Sequence, residues 1–535
     1  MLQASLDEED DLMLRASALS IQVKLGIVEK TLEMPSADGQ FLMDSVFEVL
    51  ASAEAVESKH KQETEKQGKD KAKQQVPRSQ LFWSGVSPKE RGIEALSYLI
   101  TYTPVKDAFV KHAGAVASVF RVEFPSSKDS SAGTQASAGF RSNVYYGIGY
   151  ILHHVLTSEA AIKRKQMEGM EMTADQYEEL QKALKQKSVL EDGDTPEHVE
   201  ARVTKLAQSR DVLTTLVQLL KLSATKSENI MEMATLSALH AAEAPSVRGN
   251  LVQCGVFQTL IPLALHHIAV AKSKGGKASK NPSQIQGTKI SNAAGQAMAK
   301  ILISTNPNLI PSSSLFSSIR PLLDLCKGEQ QLLHFEALMA LTNIASVSEE
   351  TKARIVGEPQ GLSTLQYLQF SEHELVRRAA TEAICNLLPN DKVIEQVFMN
   401  DEKVRLWIAF ASLEDEAEDF ETARAAGGAL AMVSQVPQVS WVIMRQGGLK
   451  AFTTIIEGGS NVETLHRALF AMQNLLEAIS GAAKDEEKAE ERAKFLAEVK
   501  QHSTTLKQKL AAHSGKAQIK EAAQSCLAAL EQVIS

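Results

Sequence analysis

Aromatic side chains are scarce in this sequence, 5 % of its 535 residues, and only three are tryptophan. Ala, Leu, Glu, Lys and Gln dominate instead, a composition that favours helix throughout. Cysteine is scarcer still. Cys254, Cys326, Cys385 and Cys526 lie 72, 59 and 141 residues apart, which excludes zinc-ligand spacing and reads as free thiols on apolar helical faces. An excess of positive charge is missing too: 57 Lys+Arg against 65 Asp+Glu leaves a formal −8, which argues against a non-specific nucleic-acid binder. The opening "MLQASLDEEDD" is acidic where a secretory signal is basic and then apolar. The longest apolar runs, such as "FQTLIPLALHHIAVA", are broken by polar residues and too short to span a bilayer. A cytoplasmic protein that binds no membrane and no nucleic acid is the expectation.

What the sequence does contain is repetition. Aligned on an alanine, "ALMALTN" (337–343), "ATEAICN" (380–386), "GALAMVS" (428–434) and "ALFAMQN" (468–474) place Ala340, Ala383, Ala431 and Ala471 at intervals of 43, 48 and 40. "QAMAKIL" puts Ala299 41 residues before Ala340, with weaker copies around Ala238 and Ala95. A period in the forties is that of armadillo and HEAT repeats. Inside it, apolar segments end in glycine and restart: Gly114, Gly255, Gly361 and Gly448, read as left-handed helix ends. Helix, turn, helix, glycine, helix is the armadillo layout, and "SVSEE" offers Ser346 and Glu349 as a capping box. The fold expected is all-α, an armadillo/HEAT-like right-handed superhelical solenoid.

The divisions expected are an N-terminal helical segment (1–56), a charged linker or solvated helix (57–80) and central armadillo-like repeats (81–163). A charged mobile loop (164–200) and the main repeat domain with C-terminal capping helices (201–535) complete the chain. Residues 124–139 and 273–289 read as loops.

Catalytic chemistry finds little support. "GGKASK" lacks the P-loop glycine and Ser/Thr, Ala271 and Ala278 standing in their places. The pairs His153–His154 and His266–His267 point about 100° apart on a helix and cannot share a metal. No G-x-S-x-G, H-E-x-x-H or Cys–His constellation occurs, so neither an enzyme nor a cofactor or metal site is expected. The acidic run "EDEAEDFE" (414–421) reads as a solvated inter-repeat loop.

The polar feature that recurs in register is asparagine: Asn343, Asn386 and Asn474, with Ser434 in the remaining copy. A buried amide without partners costs about 1–3 kcal/mol. Each therefore bonds backbone at a helix end, bridges neighbouring helices or faces a ligand. Stacked helices lie about 8–10 Å apart and an extended peptide rises about 3.3 Å per residue. A ladder of amides would thus meet a bound backbone about every three residues, with both a donor and an acceptor to offer.

Several stretches resemble the UCS-domain myosin chaperones. They are "FEALMALTNIASVSEETKARIV" (335–356), "EHELVRRAATEAICNLL" (372–388), "ARAAGGALAMVSQ" (423–435), "LVQCGVFQTLIPLAL" (251–265) and "AAGQAMAKILISTNPNLIP" (293–311). "YGIGYILHHVLTS" (146–158) extends the likeness, which covers about 80–535. The resemblance implies an armadillo-type solenoid that binds the myosin motor domain, helps it fold and supports actomyosin assembly. It also implies a groove lined by an aromatic residue and an asparagine of one helix, here Phe335 and Asn343, within about 80° on one helical side. Animal members carry a TPR module that docks heat-shock ATPase chaperones. Residues 1–80 are too short for three 34-residue TPR units. The likeness is therefore to the TPR-less, fungal-type members, which lack the TPR module for direct docking, while heat-shock ATPase chaperones stay an implied partner. The groove residues expected are Phe335, Met339, Asn343, Arg378, Glu382, Asn386, Arg467 and Asn474. The alternatives are a passive scaffold and an importin-like cargo adapter. The adapter pairs each ladder asparagine with a tryptophan one turn earlier, where this chain has Met339, Glu382 and Phe470.

Overall fold

The computed structural model describes residues 11–34, 36–67, 86–122, 124, 135–162, 194–223, 227–265, 288–413, 420–459, 461–483 and 485–535. "GGKASK", His266–His267, the loop 273–287, most of 164–200 and 414–419 of the acidic run lie outside them. Among the described residues the regular structure is helical, with no strand. The chain forms two compact units, Met1–Thr305 and Asn306–Ser535.

The first unit contains α1 (Leu12–Val28), α2 (Ala37–Gln67), α3 (Pro88–Leu99), α4 (Thr103–Lys111), α5 (Ala113–Phe120), α6 (Gln135–Val155), α7 (Pro196–Ala207), α8 (Arg210–Ser223), α9 (Glu228–Glu243), α10 (Arg248–Gln253), α11 (Val256–Ala264) and α12 (Lys289–Ser304). Helices α1, α3, α6, α9 and α12 pack side by side in that order. Residues 135–139, expected in a loop, form the first turn of α6, and α7 begins inside the stretch expected as charged loop. Helix α3 starts on a capping box that the sequence reading missed. Ser87 Oγ accepts from the Glu90 amide at 3.2 Å, and the Glu90 carboxylate accepts from the Ser87 amide at 2.8 Å.

A buried ionic cluster ties α4 and the end of α6 to α7 and the residue Asp194 before it. Lys106 Nζ, on a fully buried side chain, lies 3.1 Å from Glu159 and 3.8 Å from Asp194 and donates to the Thr157 carbonyl at 3.2 Å. Arg202 bonds Asp194 at 2.7 Å and Asp107 at 3.0 Å, and His154 Nδ1 sits 2.7 Å from Glu159. Burial pushes the Lys106 ammonium below its ordinary value. Burial alone would raise Glu159, but the His154 hydrogen bond and the Lys106 charge outweigh it and hold that carboxyl low.

The second unit contains α13 (Ser312–Leu325), α14 (Gln331–Ala345), α15 (Glu349–Gly357), α16 (Gly361–Leu368), α17 (Glu374–Leu387), α18 (Asp401–Ala411), α19 (Phe420–Val433), α20 (Pro437–Arg445), α21 (Gly448–Gly458), α22 (Val462–Gly481), α23 (Ala489–His513) and α24 (Lys520–Ile534). The three-helix unit expected from the period is visible in α15–α16–α17 and α20–α21–α22, while a π-helical turn, Ile394–Phe398, stands in the first-helix place before α18. The third helices form a ladder: α14, α17, α19, α22 and then α24 pack in succession. Aliphatic rows fill the spaces between rungs, with Ala340, Ala383, Ala429 and Ala471 each under 3 % exposed. All four cysteines are free thiols; burial pushes Cys326, Cys385 and Cys526 up to about 12, so they stay protonated.

Two sequence expectations about helix ends need correcting. The left-handed residues before helix restarts are Gly255 and Gly447, both at φ +87, and Gln360 at φ +64, while Lys30 at φ +56 follows α1. Gly361 and Gly448 instead open the next helix, where small size is required: an added Cβ would lie 2.5 Å from the Ile355 carbonyl oxygen and 2.8 Å from that of Ile443. Gly114 lies inside α5 and is not left-handed. The cap of α15 is Ser348, whose Oγ accepts from the Thr351 amide, whereas Ser346 closes α14 by donating to the Asn343 carbonyl at 2.6 Å.

Candidate functional site

Burial fixes the repeat register on the ladder of the second unit. In α14 the buried positions include Ala337, Leu338, Ala340, Leu341 and Ile344; in α19 they include Ala426, Gly427, Ala429, Leu430 and Val433, a constant shift of 89. Ala429, not Ala431, therefore matches Ala340, and the residue at the Asn343 place is Met432, 51 % exposed. Ser434, expected there, falls two positions later and is buried. The sequence alignment slipped because the small-residue run "AAGGALA" offers several equivalent alanines.

In this register the outward side chains form four columns at helical spacing. Along α14 they are Leu332, Phe335, Met339 and Asn343; along α17, Leu375, Arg378, Glu382 and Asn386. Along α19 they are Glu421, Arg424, Gly428 and Met432; along α22, Glu463, His466, Phe470 and Asn474. Spacings of three, four and four residues keep each set on one stripe of its helix. Seven of the eight expected groove residues lie in these columns, all half-buried. Arg467 lies one residue beside its column.

The stripe changes chemistry from rung to rung. The α14 end is apolar, with Leu332 60 % exposed beside half-buried Phe335 and Met339, and Leu375 is 44 % exposed on the next rung. The middle is an ion-pair ribbon. Arg378 bonds Glu382 at 3.0 Å and reaches Glu421 at 3.6 Å; Arg424 bonds Glu421 at 2.7 Å and reaches Glu463 at 3.5 Å. Partly exposed pairs are each worth about 0–1 kcal/mol, so the ribbon orders side chains more than it stabilises the fold. The α22 end carries Phe470, 40 % exposed, with His466 edge-on at 5.0 Å.

Gly428 leaves a gap in its column, and the Arg467 side chain fills it: a Cβ there would sit 3.5 Å from Arg467 Nε. Arg467 also donates to the Arg424 carbonyl, and burial together with the Arg424 charge holds its guanidinium below the ordinary value. The asparagine donors are engaged across rungs. Asn386 Nδ2 donates to the Thr342 carbonyl at 3.1 Å; Asn474 Nδ2 donates to the Ala431 carbonyl at 3.4 Å and to Ser434 Oγ at 2.9 Å. Thr342 and Ala431 are matching positions in the corrected register. Asn474 further opens into a recess of about 340 Å³ lined by Trp441, Glu477 and Lys488.

The flanking residues that sequence reasoning missed are Leu332, Leu375, Glu421, Arg424, Glu463, His466, Met432 and Phe470. Leu332, Leu375, Glu463, His466 and Phe470 each occupy a column already containing an expected residue, whereas Glu421, Arg424 and Met432 become readable only with α19 in the right register. Among the described residues no group of three or more His, Cys, Asp or Glu side chains could hold a metal. His153 and His154 are engaged separately, His154 with Glu159 and His153 with the His240 ring at 5.4 Å. No helix is long and apolar enough to cross a membrane, among the residues described.

No family model matches the chain. In sequence it is similar to protein unc-45 homolog B of Xenopus tropicalis, 26 % identical over 353 residues, 65 % of this chain and 33 % of that protein. The chain thus spans about a third of the length of that relative. In fold it is similar to UNC-45 from Drosophila melanogaster, with a TM-score of 0.63 at 22 % identity, covering 99 % of this chain and 57 % of that one. It is also similar to the myosin chaperone UNC-45 from C. elegans in complex with an Hsp90 peptide, with a TM-score of 0.62 at 19 % identity, covering 99 % and 46 %. The likeness to the UCS myosin chaperones read from the sequence motifs is borne out at the level of the UNC-45 proteins, and the fold is their all-α armadillo type.

Proposed function

We propose that this homologue of UNC-45 proteins is a cytoplasmic myosin chaperone that holds an extended or partly folded segment of the myosin motor domain along the ladder face of its second unit. The observation that carries the reading is the four-column stripe on α14, α17, α19 and α22, present on a chain whose relatives include a protein described as a myosin chaperone. Phe335, Met339 and Leu332 take an apolar side chain of the segment, and the ribbon from Glu382 to Glu463 orients its charges. The braced amides of Asn386 and Asn474 keep one acceptor oxygen each for bound backbone. Asn343 and Phe335 stand on one side of α14, as the groove requires.

Binding is the whole of the mechanism. Occupying aggregation-prone segments lowers their free concentration and draws the folding equilibrium toward the native motor by mass action. The Hsp90 peptide on the C. elegans protein suggests a heat-shock ATPase chaperone as a second partner in the same cycle. The test is light scattering of a heated myosin motor domain with increasing amounts of the chain. Suppression saturating near one chain per motor is expected; scattering no lower than with an equal mass of serum albumin would refute the reading.

A further inference from the structure

A second groove lies in the first unit, outside the stripe just described. It is about 560 Å³ in volume and is walled by the end of α1, the start and end of α3 with the turn that follows, and α6. Four of the seven tyrosines of the sequence meet there: Tyr98 and Tyr102 at the end of α3 and beyond, Tyr146 and Tyr150 one turn apart on α6. Tyr98 and Tyr146 are 42 % and 40 % exposed, and the rings of Tyr146 and Tyr150 stack at 6.2 Å. Gly147 sets the floor, since a Cβ there would come within 3.2 Å of Ile93 Cγ2.

The polar groups select a neutral occupant. Glu94 already accepts from Ser20 at 3.0 Å, Lys24 at 2.6 Å and Arg91 at 2.7 Å, and with Glu90 also at the wall two carboxylates balance the two cations. Lys24 also stands over the Tyr98 ring at 5.7 Å, where a cationic ligand would have to sit. The hydroxyls of Tyr98, Tyr146 and Tyr150 have no hydrogen-bond partner among the described residues, while that of Tyr102 donates to the Leu32 carbonyl at 3.4 Å. Phenolic groups and flat apolar rings thus line a cleft whose charges balance one another.

We propose that this groove binds a proline-rich polypeptide segment in the polyproline II conformation. Such a segment has no internal hydrogen bonds, so its carbonyls are free to accept from phenols, and its rings lie flat on aromatic surfaces. Its turn of three residues advances about 9 Å, close to the 8–10 Å between packed helices. Tyrosines of α3 and α6 would therefore meet the same face of successive turns.

Fluorescence anisotropy of labelled decaproline on the full chain tests this, against a Gly-Ser decamer and a lysine decamer. Decaproline is expected to bind saturably and at least tenfold more tightly than either control. Tyr98→Ala with Tyr146→Ala should weaken it at least tenfold. Tyr98→Phe with Tyr146→Phe, which keeps the rings and the packing, should weaken it by a few-fold, while Asn343→Ala in the other unit leaves it unchanged. Absence of saturable binding, equal binding of the Gly-Ser decamer, preference for the lysine decamer, or unaltered affinity in both tyrosine double variants would each overturn the proposal.

Discussion

Asn386 and Asn474 each send an amide N–H to a carbonyl of the preceding rung, at positions that match in the corrected register. The bridging role considered for these amides is thus present at two rungs, while capping falls to other asparagines, Asn390, Asn400 and Asn461. Asn386→Ala should lower unfolding free energy by about 0.5–1.5 kcal/mol, read from the urea midpoint at constant slope. The larger single-residue effect belongs to Lys106. Removing its ammonium leaves Glu159 and Asp194 without that counter-charge in a buried site, so Lys106→Met should cost about 3–5 kcal/mol. Glu159 gives the cluster an acid limit. Its folded pKa is depressed, so its contribution is complete above the unfolded value of about 4.3 and is lost as pH falls through the lower folded value. Thermal denaturation of Glu159→Gln between pH 6 and 3 should show a flatter acid decline than the parent, from a lower starting stability.

At the scale of the element, the period, the three-helix unit and the glycine restarts were legible in the sequence because each follows from local spacing. The register of α19 was not, because in "AAGGALA" only burial against α17 and α22 separates one alanine from another. The exact left-handed residue was also hidden, since one glycine is needed for φ and its neighbour for close approach. Gly361 and Gly448 have negative φ yet stand against carbonyl oxygens, whereas Gln360 carries the strain that Gly447 avoids at the matching place. Gln360→Gly should accordingly stabilise the chain, by up to about 1 kcal/mol after the entropy of glycine is subtracted. Gly447→Ala should destabilise it by about 1–2 kcal/mol. Differential scanning calorimetry of the two variants would read shifts of opposite sign.

For the whole molecule, the armadillo architecture could be read from a period in the forties, and the candidate face from three asparagines and one aromatic residue. The ion ribbon could not, because Glu421, Arg424 and Glu463 look like ordinary solvated helix charges until α17, α19 and α22 are placed side by side. On the proposed function, protection must fall when the aromatic and amide groups of α14 on that face are removed, while the fold is kept. The direct measurement is suppression of myosin-motor aggregation by Phe335→Ala with Asn343→Ala, alongside far-ultraviolet circular dichroism of the same double variant. Native helicity with protection reduced at least several-fold is the result expected. Native helicity with full protection would show that the face does not hold the motor segment.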